Sequence, residues 1–288
     1  MRRPMLVWVL AAACVPDLGE RDSLVAEPTI LAIRGEPPEV SPGETAHFDL
    51  LVATPSGPLV TTPARWDFCA SAKRLTENGS VSASCFQDRG VVPIATGPSA
   101  VDAAIPANAC NVFGPRTLAQ DDRPRDPDIT GGYYQPLRVL VEGKVGFGFE
   151  RVRCGPPLSP ARVVDDFTKR YQPNRNPTLE PIALPPSTAR GARVVLRATW
   201  PADAAETFPV YDLASKVLVD HRESLRVSWF ATAGTFDADR TGRDETETEL
   251  FTDNGWTAPT TPQTVHIYVV LRDPRGGTAF RTLRTTVE

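Results

Sequence analysis

The 288-residue chain lacks the patterns by which enzymes most often declare themselves. It has no Gly-x-Ser-x-Gly elbow for an activated serine, no His-Glu-x-x-His pair for zinc and no glycine-rich loop for phosphate. Histidine is limited to His47, His221 and His266, and lysine to four residues against 27 arginines. Those arginines are scattered and never form a run. With a formal charge of -4, nothing in the sequence favours nucleic acid as a partner. Missing too is an apolar run of the ~20 residues that a membrane-spanning helix needs. The apolar stretch at the start, Met5 to Ala13, is less than half that length.

That short stretch is informative in another way. Arg2 and Arg3 precede it, and Ala11, Ala12 and Ala13 end it, which is the layout of a secretory leader over residues 1–13. Removing the leader removes Arg2 and Arg3 and takes the formal charge from -4 to -6. Leu10-Ala11-Ala12-Ala13-Cys14 resembles a bacterial lipobox, in which the cysteine becomes the lipidated first residue. It departs from that pattern in placing leucine four residues before the cysteine where three is usual. The resemblance implies lipidation at Cys14 and a membrane partner through that lipid. It also implies the cell envelope, with outer-membrane sorting since Val15 and not Asp follows. A soluble secreted protein is the alternative.

Setting Cys14 aside leaves Cys69, Cys85, Cys110 and Cys154. An even number in an exported chain favours two disulfides. Zinc needs close Cys-x-x-Cys pairs or neighbouring histidines, and neither is present. Pairing Cys69 with Cys85 closes a short, turn-rich loop. Pairing Cys110 with Cys154 ties a long irregular stretch to the strand that leaves the domain.

Twenty-nine prolines and twenty glycines argue for many short strands. Alternation is visible in Thr45–Val52, in Val145–Phe149 (bulk on one face, glycine on the other) and in Thr264–Leu271, as period-two strands with one face on a core. His47 and His266 fall opposite the apolar stripes, which predicts that both face solvent, and His221 reads as loop or strand edge. Between residues 159 and 171 the pattern changes. Ser159 is placed to cap, Pro160 sits at the first helical position, and Val163, Phe167 and Tyr171 recur every four residues, predicting a short helix. Gln172-Pro173-Asn174-Arg175-Asn176-Pro177 then stops it.

The second half reads as a divergent copy of the first. In each a Pro/Gly turn leads into a strand, and a later strand carries tryptophan: Ala64-Arg65-Trp66-Asp67-Phe68, then Leu225-Arg226-Val227-Ser228-Trp229-Phe230. Leu225 to Phe236 and the closing Asp273-Pro274-Arg275-Gly276-Gly277 resemble bacterial immunoglobulin-like and PKD-type domains. Ala64 to Phe68 is similar to the PKD-type Trp-Asp-Phe signature, although Cys69-Ala70 stands where that family continues Gly-Asp-Gly. Leader, two such domains and the Asn-Arg-Asn-Pro joint together resemble envelope lipoproteins of myxobacteria and their relatives. The resemblance implies a mainly β chain with two Ig-like β-sandwich domains in tandem. Its divisions are a 14–28 tether, domain 1 at 29–154, a helical connector at 155–176 and domain 2 at 177–288.

One loop invites a metal. Asp237, Asp239 and Asp244 begin like a calcium loop, with Gly242 at its sixth position. The twelfth position is Thr248 where a carboxylate is needed, and Arg240 and Arg243 add positive charge, so a solvated acidic loop is the favoured reading and no cofactor is expected. The sequence therefore predicts a lipid-anchored envelope protein, not an enzyme, with a structural, adhesive or binding role toward another envelope protein or a polysaccharide. The alternatives are a soluble exported binding protein and an exported enzyme with a dispersed carboxylate site.

Overall fold

A computed structural model of the chain describes residues 22–60, 63–74, 76–97, 99–114, 132–155, 160–212 and 214–288. The leader and Cys14 lie outside the described residues. The first half contributes β1 (Thr29–Glu36), β2 (Glu39–Val40), β3 (Thr45–Thr54), β4 (Gly57–Leu59), β5 (Arg65–Cys69), β6 (Val91–Thr96), β7 (Ala100–Ala104), β8 (Gly132–Val141) and β9 (Lys144–Arg153), with a short helix α1 (Ala109–Phe113). Helix α2 (Ala161–Arg170) follows. The second half contributes β10 (Ser187–Thr188), β11 (Arg193–Thr199), β12 (Thr207–Asp212), β13 (Val217–Arg222), β14 (Leu225–Ala231), β15 (Thr235–Phe236), β16 (Arg240–Arg243), β17 (Phe251–Thr257), β18 (Gln263–Arg272) and β19 (Thr278–Val287).

These strands make two sandwiches of the same plan. In the first, β1-β3-β4, with β7 also on β3, faces β2-β9-β8-β5-β6. In the second, β11-β17-β15 faces β10-β19-β18-β14-β16, and β12 and β13 form a separate hairpin. A two-residue strand runs parallel to the last strand of each domain, β2 on β9 and β10 on β19. The tryptophan strands β5 and β14 take the same place, each beside the penultimate strand, and Trp66 and Trp229 are fully buried. A buried tryptophan in that position is a mark of the immunoglobulin-like sandwich. The internal repeat visible in the sequence is thus a repeat of fold.

Glycine decides one orientation. In β9 the glycine face points inward: a Cβ on Gly146 would lie 2.8 Å from Ile30, and one on Gly148 2.7 Å from Ile33. Those isoleucines fill the space that a side chain on β9 would otherwise occupy. The bulky face turns outward, leaving Val145 and Phe149 exposed. The alternation expected here is present, but its bulky side is not the core side.

Helix α2 buries Val163 and Phe167, and Phe167 stacks on Tyr171 with ring centroids 4.6 Å apart. Pro160 occupies the N-cap and not the first helical position, and Ser159 lies outside the described residues.

The two sandwiches stack face to face. On β3, Ala46, Phe48 and Val52 enter the first core, while Leu51 and Ala53 point the other way. On β18, Val265, Ile267, Val269 and Leu271 enter the second core, while Tyr268 and Val270 point the other way. These outward residues meet one another, together with Leu31 and Ala32 of β1 and the flanking Phe230 and Phe280, in a third apolar cluster. The result is four β layers, in which β3 and β18 have both faces covered. Arg272 donates to the Leu31 carbonyl across the seam at 2.7 Å, and the guanidinium of Arg34 lies over the Phe280 ring.

The N-terminal segment joins in. The segment predicted as a tether is docked from Ser23 onward, because β14 runs past the end of β16 and leaves backbone groups to pair. Ala231 N–H donates to the Ser23 carbonyl and Val25 N–H donates to the Ala231 carbonyl, both at 2.9 Å. Val25 is buried in the third cluster. From Ser23 the chain therefore lies first on the second sandwich, crosses to build the first, and returns.

Candidate functional site: the joint and the stapled excursion

At one end of the seam the connector stitches the sandwiches together through Asn174, Arg175 and Asn176. The Asn174 backbone N–H donates to Glu39 at 2.8 Å, and its side-chain amide donates to Asp273 at 3.2 Å. Arg175 pairs with Glu206. The Asn176 amide donates to the Gly35 carbonyl at 2.7 Å and accepts from Thr278 N–H at 2.8 Å. Each asparagine thus bonds both domains.

Around this connector lies a set of buried charges that sequence reasoning did not single out. Glu39, 2 % exposed, accepts from Tyr171 Oη at 2.7 Å and is ion-paired with Arg151 at 3.5 Å. Arg275, 1 % exposed, reaches Glu223 at 2.6 Å and Glu206 at 2.7 Å, and lies over the rings of Phe208 and Tyr171. Asp273 organises the hairpin between β18 and β19, accepting from Arg275 N–H at 2.8 Å and Gly277 N–H at 2.9 Å. Burial, then the charge of Asp273, raises Glu223, and burial raises Asp273 as well. Glu150 packs against Gly35, where any Cβ would lie 2.0 Å from its carboxyl oxygen. Its pKa is pushed up to about 9, first by burial and then by Glu39 and Glu36. It is therefore a neutral acid at pH 7.

Glu206 lines a small cavity with Arg175, Asn176, Thr178, Asp203 and Ala204, whereas the other carboxylates lie deeper. Glu39, Glu150 and Glu223 are at most 3 % exposed and closed in by arginine, tyrosine and backbone. The arrangement suits holding two domains in register. The carboxylates expected for a dispersed site are brought together here, Glu39, Glu150 and Glu223 in the interior and Glu206 at the border of the cavity.

A second feature is the excursion between β5 and β6. It folds over the outer face of the sheet, held by the disulfide Cys69–Cys85 and by Arg138, which is 1 % exposed. Arg138 pairs with the buried Asp67 at 2.7 Å, reaches Asp88 at 2.9 Å and donates to the Cys85 carbonyl at 3.3 Å. Phe86 on the excursion packs edge-on against Phe147 of β9, ring centroids 4.9 Å apart, and remains well exposed itself. The second disulfide, Cys110–Cys154, joins α1 to the end of β9. Cys69–Cys85 closes the short, turn-rich loop and Cys110–Cys154 ties the irregular stretch to the sheet, the two pairings considered in the sequence.

The remaining candidates scatter. His47 is exposed, with Nδ1 2.7 Å from Asp102. His221, on β13, has Nδ1 3.1 Å from Glu245. His266 is not solvent-facing as expected. It lies half-buried beneath Gly57 of the neighbouring sandwich, and burial followed by the charge of Arg284 lowers its pKa. Asp237, Asp239 and Asp244 are not brought together either. Strand β16 occupies Arg240–Arg243, so Asp239 and Asp244 stand at opposite ends of an extended segment of roughly 15 Å. Asp237 pairs with Arg193. Among the described residues no group of three metal-ligating side chains converges. No helix among them is long and apolar enough to cross a membrane.

No protein-family model matches the chain, and no curated protein matches it in sequence. Solved structures similar to it include the D00-D0 domain of Intimin, at 9 % identity and TM-score 0.26, covering 89 % of this chain and 100 % of that one. The Yersinia pseudotuberculosis adhesin InvE is similar at 11 % identity and TM-score 0.25, covering 89 % and 58 %. The native alpha-2-macroglobulin of E. coli is similar at 11 % identity and TM-score 0.27, covering 91 % and 17 %. At these values the likeness carries no inference about activity, and the immunoglobulin-like assignment stands on the strand order and the two buried tryptophans.

Proposed function

We propose that this chain is an exported, lipid-anchored envelope protein in which two Ig-like sandwiches form one rigid block with a structural or adhesive role. The pair of disulfides carries the reading. Both link covering segments to a sheet, and such bonds form and persist outside the reducing cytosol. The leader-like residues 1–13 and Cys14 agree with it. A doubly acylated cysteine suffices for stable anchoring, at about 0.8 kcal/mol per buried CH₂. The face-to-face stack makes the block short and stiff, suited to presenting a surface rather than to spanning a distance. Phe86, Phe149 and Val145 are among the apolar side chains it presents, and they lie on the outer face of the first sandwich. The test is detergent phase separation of the wild type and Cys14→Ser. The wild type should enter the detergent phase and the variant the aqueous phase. A wild type that stays aqueous would establish the soluble exported alternative instead.

A further inference from the structure

The arginines are scattered along the sequence, but the second sandwich gathers three of them on one face. Strand β14 lies between β16 and β18. Arg226 on β14 sits directly opposite Arg272 on β18, and Ser228, two residues along β14, sits opposite Arg240 on β16. Val227, Trp229 and Leu271 point into the core, and Thr241 accepts from the Trp229 indole. Alternation therefore puts Arg226, Ser228, Arg240 and Arg272 together on the outer face. Neighbouring strands lie about 4.8 Å apart, so the row spans roughly 10 Å. Tyr268 and Val270 on this face are covered by the first sandwich, whereas Arg272 is half-buried and Arg226 and Arg240 are exposed.

Like charges directly opposite one another destabilise a strand pair, and arginine keeps its charge at neutral pH. Burial, then the charge of Arg240, lowers the pKa of Arg272. Among the described residues no carboxylate pairs with any of the three arginines. Asp239 and Asp244 stand at the two ends of β16 and do not reach them. Carboxylates on adjoining segments have other partners: Asp49 pairs with Arg34, Glu27 with Lys144 and Glu247 with Arg243. The Ser228 hydroxyl makes no hydrogen bond within the described residues either.

We propose that Arg226, Ser228, Arg240 and Arg272 form a binding site for an acidic polysaccharide. The proposal deepens the adhesive reading above and rests on it for the kind of partner, while the row itself stands on strand register. Arginine offers a planar fork that holds carboxylate, sulfate or phosphate through two parallel bonds, and a free hydroxyl among such forks suits a sugar. A narrow acidic chain can cross the strands between Asp239 and Asp244. A broad anionic bilayer would meet those carboxylates as well, on a protein whose formal charge is -4. Single-stranded nucleic acid is held by exposed rings on which bases stack, and Phe230, Tyr268 and Phe280 of this face are packed in the third cluster.

The experiment uses the full chain carrying Cys14→Ser, so that no lipid brings it to a membrane. Sodium alginate is the acidic probe, neutral dextran its uncharged control and phosphatidylglycerol vesicles the lipid arm. The protein should bind alginate, more weakly as salt rises, and should bind neither dextran nor vesicles. Adding Arg226→Ala and Arg240→Ala should weaken alginate binding by about tenfold or more, with the parental melting temperature kept. Adding Arg193→Ala and Arg197→Ala, which removes the same charge from β11 on the facing sheet, should leave binding unchanged. Equal losses in the two variants would reduce the effect to net charge and overturn the site, as would protein that ignores alginate or binds dextran equally. Vesicle binding that the Arg226 and Arg240 changes abolish would assign the row to lipid headgroups and overturn the polysaccharide. None of these outcomes depends on how the wild type partitions into detergent, so the site and the anchor can fail separately.

Discussion

The two sandwiches share a plan and are stabilised by different means. The second buries three tryptophans, Trp200, Trp229 and Trp256, and contains no cysteine. The first buries Trp66 alone among the described residues and adds two disulfides, with the buried Asp67–Arg138 pair beneath its excursion. Apolar burial rises with core size. A sandwich that spends its residues on long irregular covers has fewer left to bury, so crosslinks supply what the core does not. A common topology therefore does not imply a common energetic basis.

Four measurements would break or sharpen this contrast. Trp229→Ala should cost about 3–5 kcal/mol, read as a loss in chemical denaturation, since the ring fills the second core and its indole N–H donates to Thr241 at 2.8 Å. A variant that unfolds like the parent would show that the second core is not the main support. Replacing Cys110 and Cys154 together by serine should cost about 4 kcal/mol, the chain-entropy value for a loop of this length. The loss should appear in the first sandwich alone, as early hydrogen exchange in β8 and β9. Exchange accelerating equally in β18 would mean that the two modules share their stability through the seam.

The third concerns pH. The folded protein keeps the Glu150 proton to about pH 9, whereas the unfolded chain releases it near 4.5. Between those values the unfolded state binds fewer protons, so this group makes stability fall as pH rises, and the slope ends above about 9. Glu150→Gln should flatten that slope and gain about 3 kcal/mol at pH 7, in denaturation curves taken from pH 5 to pH 9. A slope identical to the wild type would place the titration elsewhere. The smallest effect is expected for Asn176→Ala, which removes three hydrogen bonds at the joint, to Gly35, Glu36 and Thr278, and should cost about 1–2 kcal/mol. Its signature is a split of the single unfolding transition into two. Two transitions already in the wild type would mean that the joint does not couple the domains.

Much of the architecture was legible because it depends on local pattern. Alternation marked β3 and β18, the two tryptophan motifs marked equivalent strands, and spacing marked α2. What was not legible depends on partners distant in sequence. The stripe of Tyr268 and Val270 reads as ordinary strand until Leu31 and Leu51 are seen against it. That both faces of β18 are buried does have a signal, the unbroken apolar run Ile267–Leu271, which suits a strand without a solvent side. The inward glycines of β9 give no such signal, since only Ile30 and Ile33 explain them. The joint was the hardest to see. Glu39, Glu150, Arg151 and Arg275 belong to residue types that normally face water, and only Asn174-Arg175-Asn176 drew attention to the place where they meet.

The docking of Ser23–Val25 also has a consequence in time. The strand that receives it, β14, is made after the whole first sandwich and α2. Until β14 is made, Ser23 and Val25 therefore have no partner to pair with. Folding of the first sandwich can proceed at once, as modules generally fold in order of appearance. Only when Ala231 arrives can Ser23–Val25 dock, so this contact is ordered after the first sandwich by the route of the chain itself.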